Sequence, residues 1–228
     1  MCGLTGFFTA RERTREGMTA AIAKMAATLV HRGPDDFGAF VEEQSGVALG
    51  FRRLAIVDLS PSGHQPMEAA SGRFTMAYNG EVYNYRLLRA ELAATGIRFR
   101  GTSDTEVILA GFDLWGVRST IERCVGMFAM SIWDRERCEL ILARDRLGKK
   151  PLFVYAETGF VSFGSELKAL RAGPEFKAEL DRTAVVEYLR YLYVPAPRSI
   201  YRRVIKLPPA TMLTIRDPRA PLPEPECY

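Results

Sequence analysis

The stretch CGLTGFFT, residues 2–9, decides how the chain begins to fold. Its uncharged run of apolar residues and threonines predicts a β-strand, which the polar segment ARER ends. The strand starts on a cysteine that directly follows the initiator methionine. Because methionine is normally removed before a small residue, Cys2 is predicted to carry a thiol and a free α-amine on one residue.

A cysteine at the amino terminus can act as its own general base. The pKa of a thiol is about 8.5 and that of an α-amine about 7.7–8.0, so moving the proton from sulfur to nitrogen costs roughly 1 kcal/mol. This is the N-terminal-nucleophile form of covalent catalysis. From position alone, two other interpretations stay open: an inert thiol buried at a strand start, and a papain-like pair with His31 or His64 as base.

Length and composition restrict the class of protein. A chain of 228 residues, 47% hydrophobic and 25% charged, is typical of a globular protein with one large domain or two small ones. Its 31 basic and 27 acidic residues are mixed along the chain, which argues against a nucleic-acid partner. Four distant cysteines and two histidines predict free thiols and no metal site. No signal peptide and no apolar run of ~18 residues is visible, so we expect a cytoplasmic protein without a membrane partner.

Hydrophobic periodicity predicts short strands interleaved with a few helices. Helices are predicted at 17–30, 84–95 and 104–115, the last with Asp104 as its amino-terminal cap. Further strands are predicted at 37–42, 47–51, 73–79, 126–133, 138–143, 151–156 and 159–164. After residue 170 the chain becomes more polar around one helical stretch at 182–193, and the proline-rich tail at 216–228 predicts a linker.

Two more segments carry groups that acyl transfer requires. In YNGEVYNY, residues 78–85, a strand-to-turn setting would present Asn79 and Gly80 outward as donors to an oxyanion. An ordinary hairpin turn is the alternative. Arg53 and Asp104 stand at the edges of predicted elements and suit the carboxylate and ammonium of an amino acid. Taken alone, each is better explained as a surface charge or a helix cap.

Eight motifs, taken in order, give the chain a specific resemblance. They are MCGLTGFF, HRGPDDFG, RRLAIVDLSPSGHQPM, YNGEVYNY, TSDTEVIL, GMFAMSIWD, ARDRLGKKPLF and FGSELKAL. Their order and spacing resemble the class II glutamine amidotransferase domain, and more narrowly the glutaminase half of glutamine-hydrolysing asparagine synthetases. The resemblance implies an α+β fold of the N-terminal-nucleophile hydrolase type, a four-layer α/β/β/α sandwich. It implies a glutaminase domain at residues 2–170, and at 171–228 a connection and the start of a truncated synthetase-like region.

The resemblance also implies roles for individual residues. Cys2 is the nucleophile and its α-amine the base, while Asn79 and Gly80 form the oxyanion hole. The residues implied in glutamine binding are Arg53, Leu54, Ala55, Ile56, Val57, Asn79, Gly80, Glu81 and Asp104. Among these, Arg53 and the backbone of 54–57 serve the α-carboxylate, and Asp104 with the neighbourhood of Glu81 serves the α-amine. Arg32 and Gly33 form a supporting loop.

One position departs from the family pattern. Phe51 stands where the family usually has a histidine before the arginine. The departure could alter the edge of the glutamine pocket, but it removes no catalytic group.

The implied reaction is hydrolysis of L-glutamine to glutamate and ammonia through a Cys2 thioester, a step that needs no cofactor. In a whole enzyme, a synthetase domain in cis or in trans would use ATP and Mg to activate aspartate for amidation by the ammonia. The SGGxDS motif of such a domain does not occur in this sequence. A homodimer is compatible with the resemblance.

Three alternatives stay beside this interpretation. The domain could be a non-catalytic or regulatory remnant that keeps the fold, or it could belong to an amidotransferase with a different acceptor. An unrelated N-terminal-nucleophile amidohydrolase is the third, and it is disfavoured because Arg53 and Asp104 suit a free amino acid.

Overall fold

The computed structural model describes residues 1–55 and 63–228, and these form two antiparallel six-stranded sheets. The described strands are β1 (Gly3–Thr9), β2 (Asp36–Glu42), β3 (Val47–Arg53), β4 (Met67–Glu68), β5 (Phe74–Val82), β6 (Gly126–Asp134), β7 (Glu139–Arg144), β8 (Phe153–Glu157), β9 (Phe160–Gly164), β10 (Val204–Lys206), β11 (Thr211–Ile215) and β12 (Glu226–Cys227). The described helices are α1 (Arg15–Ala27), α2 (Tyr85–Ala94), α3 (Asp104–Trp115), α4 (Val117–Arg123), α5 (Leu167–Arg171) and α6 (Arg182–Tyr191).

The two sheets stack face to face, and helices cover their outer faces. The first sheet has the strand order β10-β8-β9-β1-β3-β2 and the second has β12-β11-β7-β6-β5-β4. On the outside, α1 packs on β1, β2 and β3, whereas α3 packs on β4 and β5 and also contacts α2 and α4. These four layers confirm the predicted α/β/β/α sandwich. Within the described ranges, no helix combines the length and the apolar character needed to cross a membrane.

The opening strand, β1, is central to the first sheet because it is buried on both faces. It pairs with β3 on one side and β9 on the other, and all seven of its residues are buried. Phe7 packs against Met18 and Ile22 of α1, while Phe8 turns to the second sheet and meets Trp133 edge to face at 5.5 Å. A strand covered on both sides reads as a continuous apolar run, as CGLTGFFT does.

β5 has two different faces, and this sets up the site. Phe74 and Tyr78 point outward into the core formed with α2 and α3, whereas Ala77 points inward to the core between the sheets. Since side chains alternate along a strand, Asn79 shares the inward direction of Ala77. Its amide therefore lies between the sheets.

Two local predictions are wrong. Asp104 does not cap α3: the cap is Ser103, whose hydroxyl accepts the N–H of Glu106 at 3.3 Å. Asn79 and Gly80 do not lie in a turn, because β5 continues to Val82 and pairs with β6 as far as Gly126. A side chain on Gly126 would lie 2.9 Å from the Cα of Val82, so this glycine lets the strands approach at the place where a turn was expected.

The chain after residue 170 contributes strands to both sheets. β10 pairs with β8 in the first sheet, and β11 pairs with β7 in the second. The tail was predicted to be a linker, and this is wrong for its end: β12 pairs with β11, and the Tyr228 ring stacks on Phe128 at 6.4 Å. The division at residues 170/171 into a glutaminase domain and a synthetase-like start stays a prediction.

Candidate active site

A cavity of about 170 Å³ opens where the amino end of β1 meets the carboxyl half of β5. It brings together most of the predicted site residues, namely Cys2, Arg53, Leu54, Asn79, Gly80, Glu81 and Asp104. Ala55 lies beside it, with its N–H bound by Asp35 Oδ2 at 2.9 Å. Ile56 and Val57 fall outside the described residues. Phe51 does not line the cavity: it is buried in the core between the sheets, so the predicted change at the pocket edge is wrong.

The Cys2 thiol is tied to the backbone of Leu54. The Leu54 N–H donates to Sγ at 3.4 Å, and the thiol faces the Leu54 carbonyl oxygen at 3.6 Å. Burial raises the pKa of the thiol above its ordinary value, while the Leu54 N–H and the positive charges of the amino terminus, Lys150 and Arg53 act in the opposite direction. A thiol in this state needs a base before it can attack.

Met1 lies in the wall of the same cavity and is 58% exposed. While it is attached, the nitrogen of Cys2 is an amide and has no basic lone pair. Removal of this residue would convert the amide into an α-amine next to the thiol. The proposed base therefore depends on processing.

Asn79 presents a buried donor without a partner. The side chain is 1% exposed, and Nδ2 has no hydrogen bond to any residue in the described ranges. An unsatisfied buried amide costs about 1–3 kcal/mol, which is recovered when an oxygen of a ligand accepts the bond. The orphaned donor is thus the feature of the cavity that most directly calls for a ligand.

The N–H of Gly80 points to the same edge of β5 as two neighbouring N–H groups. The N–H groups of Tyr78 and Val82 donate to side chains instead of to a neighbouring strand: to Gln65 Oε1 at 2.7 Å and to Asp104 Oδ2 at 2.9 Å. Because successive N–H groups of a strand alternate in direction, the N–H of Gly80 lies between them on that edge. No side chain fits at this position, since a Cβ would lie 2.7 Å from the Cα of Phe128.

Asp104 forms a negative centre within the wall. It is 8% exposed and accepts the Tyr78 hydroxyl at 2.7 Å as well as the N–H of Val82. Burial raises the pKa of its carboxyl, and these two hydrogen bonds oppose the rise. Burial also raises the pKa of Tyr78 well above its usual range, so the phenol stays protonated and keeps donating to Asp104.

Arg53 places a positive side chain in the wall of the cavity. It ends β3, and its guanidinium packs on Gly63, where a Cβ would lie 2.7 Å from Cζ. The N–H of Asp35 binds the Arg53 carbonyl oxygen at 3.1 Å. Gly33 allows this arrangement because a side chain there would come within 2.6 Å of the Arg53 nitrogen.

Arg32 and Gly33 lie behind the cavity and do not line it. Arg32 Nε donates to the carbonyl oxygen of Cys2 at 3.0 Å, and Nη1 donates to Glu166 Oε1 at 2.9 Å. The two residues of the HRGPD motif thus contact the backbone of Cys2 and of Arg53. Their predicted role as support stays a prediction, with these contacts in its favour.

Lys150 was missed by the sequence reasoning. It lines the cavity and is only 6% exposed. Its turn is organised by the buried Asp145, whose carboxylate accepts the N–H groups of Leu147, Lys149 and Lys150 at 2.9–3.1 Å. The motif ARDRLGKKPLF contains both Asp145 and Lys150. This motif was therefore the signal in the sequence that could have pointed to Lys150.

No cluster of His, Cys, Asp or Glu suited to a metal ion occurs in residues 1–55 and 63–228. The four cysteines are free, and Cys2 is the one that faces the cavity. His31 and His64, the bases of the papain-like alternative, are occupied elsewhere: Glu166 Oε1 lies 3.0 Å from His31 and Asp36 Oδ2 lies 2.7 Å from His64. Neither histidine lines the cavity.

Two stacked antiparallel sheets with helices on their outer faces, and a cysteine at the start of a central strand, define the fold of the N-terminal-nucleophile hydrolase class. The chain belongs within that class to the glutamine amidotransferase family, since residues 1–223 match the glutamine amidotransferase domain. It is an enzyme domain of this type, as predicted.

The similar curated proteins carry the names of glutamine-hydrolysing asparagine synthetases. Asparagine synthetase 3 of Bacillus subtilis is 39% identical over 94% of this chain and 34% of the relative. A putative asparagine synthetase of Mycobacterium tuberculosis is 40% identical over 97% of this chain and 36% of the relative. The chain therefore spans about a third of the length of these relatives.

The fold is also found in a solved structure. Glutamine phosphoribosylpyrophosphate amidotransferase from B. subtilis superposes with a TM-score of 0.68 at 21% identity, covering 95% of this chain and 47% of that one. At this identity the similarity concerns the fold alone, and it confirms the predicted fold class.

Proposed function

We propose that this chain hydrolyses L-glutamine to glutamate and ammonia with Cys2 as the nucleophile. The observation that carries the proposal is the meeting, in one cavity, of the thiol with the unpartnered Nδ2 of Asn79. Family membership supports the same reaction.

The amino acid would be held at both of its charged ends. Arg53 binds the α-carboxylate, assisted by the backbone of Leu54, and Asp104 with Glu81 faces the α-ammonium; these four residues line the cavity. Guanidinium–carboxylate pairs are charge-assisted and directional, so they orient the substrate as well as bind it. The side-chain amide is thereby aimed at the thiol.

The reaction then follows from the groups around the sulfur. The α-amine of Cys2 takes the thiol proton, and the thiolate attacks the amide carbon. The negative charge on the former carbonyl oxygen is stabilised by Asn79 Nδ2 and the Gly80 N–H. The C–N bond breaks as the α-ammonium returns the proton to the leaving ammonia. Water, activated by the same amine, cleaves the thioester and releases glutamate.

The test is to incubate the purified chain with L-glutamine and to follow glutamate and ammonia, with Cys2→Ala alongside. We expect stoichiometric release from the wild type and none from the variant. Equal release from both proteins would refute the assignment of the nucleophile. Mass spectrometry of the intact chain gives a separate check, because an active protein that retains Met1 cannot use the α-amine as base.

We also propose where the ammonia goes. The names and lengths of the relatives support transfer to a synthetase domain, in cis or in trans, that uses ATP and Mg to amidate aspartate. Residues 171–228 would lead toward that domain. The glutaminase step itself uses no cofactor, the proposed compartment is the cytoplasm, and a homodimer is compatible with this arrangement.

A further inference from the structure

Glu166 is the second residue after the end of β9, a strand that pairs with β1 in the first sheet. The preceding Ser165 is joined to Leu4 twice: its hydroxyl accepts the Leu4 N–H at 3.1 Å, and its N–H donates to the Leu4 carbonyl oxygen at 2.9 Å. Glu166 itself occupies the cap position of α5, yet its carboxylate makes no capping hydrogen bond. The side chain is therefore available for another purpose.

That carboxylate gathers three basic side chains. Oε1 accepts from Arg32 Nη1 at 2.9 Å and lies 3.0 Å from His31 Nε2, and Oε2 lies 3.2 Å from Lys168 Nζ. The pKa of Glu166 falls to about 2 because hydrogen bonds from Arg32, His31 and Lys168 outweigh the effect of burial. The carboxylate is consequently charged at any pH at which the protein would work.

Arg32 connects this cluster to the nucleophile. Its side chain is 10% exposed, and the same guanidinium that contacts Glu166 donates from Nε to the Cys2 carbonyl oxygen. A Cβ on Gly3 would lie 3.4 Å from the Arg32 Cδ, so the stem of the arginine runs along the Cys2–Gly3 peptide. A planar guanidinium with one edge fixed by a carboxylate has little freedom left at its other donors.

We propose that Glu166 is a positioning residue for Cys2: it holds the Arg32 guanidinium, which in turn holds the Cys2 carbonyl and so orients the α-amine and the thiol. The hydrogen bond from Arg32 Nε to the Cys2 carbonyl oxygen restricts rotation about the Cα–C bond of Cys2. Without it, this bond would turn more freely, because Cys2 would be the amino-terminal residue after removal of Met1. Since the amine is the base and the thiol the nucleophile, both must keep one orientation toward Asn79. The inference rests on the proposed function for its effect on turnover.

The first measurement is the kinetics of glutamine hydrolysis by Glu166→Ala. We expect kcat to fall by about ten- to a hundredfold, the loss that small misplacements of reacting groups cause. KM should stay within about twofold, because the contacts of Glu166 within the described ranges are with Arg32, His31 and Lys168, and none is with a residue proposed to bind the substrate. A kcat within twofold of the wild type, or a loss expressed only in KM, would overturn the proposal.

Glu157→Ala is the matched control. Glu157 also holds three partners, Tyr155, Lys177 and Arg203, but it lies near the far end of the first sheet, where it pairs with Phe160. Its loss should leave kcat within about twofold. An equal fall of kcat in both variants would mean that general destabilisation, and not positioning, explains the effect.

A double-mutant cycle separates a direct from an indirect role. In the Arg32→Met background, adding Glu166→Ala should change kcat by less than about twofold, because residues that act through one contact are not additive. Full additivity of the two losses would show that Glu166 does not act through Arg32.

The reactivity of the Cys2 thiol tests the positioning role of Glu166 even if glutamine is not the substrate. We expect iodoacetamide to alkylate Cys2 about tenfold more slowly in Glu166→Ala at neutral pH, because the displaced amine no longer takes the thiol proton. Alkylation of Cys138, which is exposed and remote, should be unchanged. If the wild type fails to hydrolyse glutamine, the proposed function falls; an unchanged rate at Cys2 would remove the role of Glu166.

Discussion

An arginine–glutamate ion pair lies near each end of β1, but the two pairs differ in how far they are buried. At the Cys2 end, Arg32 is 10% exposed and joins Glu166 to the backbone of the nucleophile. At the Thr9 end, Arg11 pairs with Glu175 but keeps 41% of its side chain exposed. Exposed ion pairs contribute about 0–1 kcal/mol, whereas a buried charge that loses its partner is strongly destabilised. Burial, and not residue type, separates a positioning contact from a surface pair.

Among variants that keep the Cys2 thiol, the largest effect is expected from loss of the unpartnered Asn79 donor. Asn79→Ala removes the side-chain amide that faces the cavity, and loss of one oxyanion donor lowers kcat by about 100- to 1,000-fold. Steady-state kinetics with L-glutamine would measure this. The matched variant Asn79→Asp keeps the size and loses the donor, so activity close to the wild type in either protein would contradict the oxyanion role.

Gly80→Ala should be the most damaging change to the fold at the Cys2 end. The added Cβ would meet Phe128 of β6, and overpacking of this kind costs about 1–3 kcal/mol. Urea denaturation would give the change in the free energy of unfolding. Gly17→Ala is the control, because Gly17 is exposed in the first turn of α1 and an added Cβ would approach only the Thr14 hydroxyl, at 3.3 Å. Equal destabilisation of both variants would refute the close approach of β5 and β6.

Lys150→Met is expected to shift a pH profile. Burial already raises the pKa of the Cys2 thiol, and the Lys150 ammonium opposes that rise. Without this charge the thiolate is less favoured, so the pKa rises further and the alkylation of Cys2 by iodoacetamide needs a higher pH. Lys150→Arg keeps the charge and should stay near the wild-type profile. A shift of the Met variant toward lower pH would contradict the electrostatic role.

The smallest effect belongs to the other end of β1. Arg11→Ala breaks the surface pair with Glu175 and should change the free energy of unfolding by less than about 1 kcal/mol. Glutamine hydrolysis should stay within twofold, because Arg11 lies at the end of the strand opposite Cys2. A loss of activity as large as that expected for Glu166→Ala would erase the difference between the two ends.

Much of the fold could be predicted from local patterns. The alternation in β5 and the three- and four-residue spacing in α1 depend on residues close together in the chain, so the order of the main elements followed from the sequence. The end of β5 could not be predicted in this way, because Asn-Gly is a common turn signal. In the structure, pairing with β6 keeps Asn79 and Gly80 in an extended strand. The short helix α4 and the two-residue strands were missed, since they are too short for periodicity to be visible.

The site divides in the same way. The sequence by itself determined the chemical groups: a thiol that can become the amino terminus, an Asn-Gly pair, an arginine and an aspartate, and the family to which their motifs belong. Only the tertiary structure decided which of these groups are buried without a hydrogen-bond partner, as Asn79 Nδ2 is, and which are held by residues far away in the chain, as Cys2 is. Arg32 and Glu166 are 134 positions apart, and Cys2 and Leu54 are 52 apart. Contacts of this length depend on which strands become neighbours in the first sheet, where β1 lies between β9 and β3. Local patterns along the chain do not specify that order.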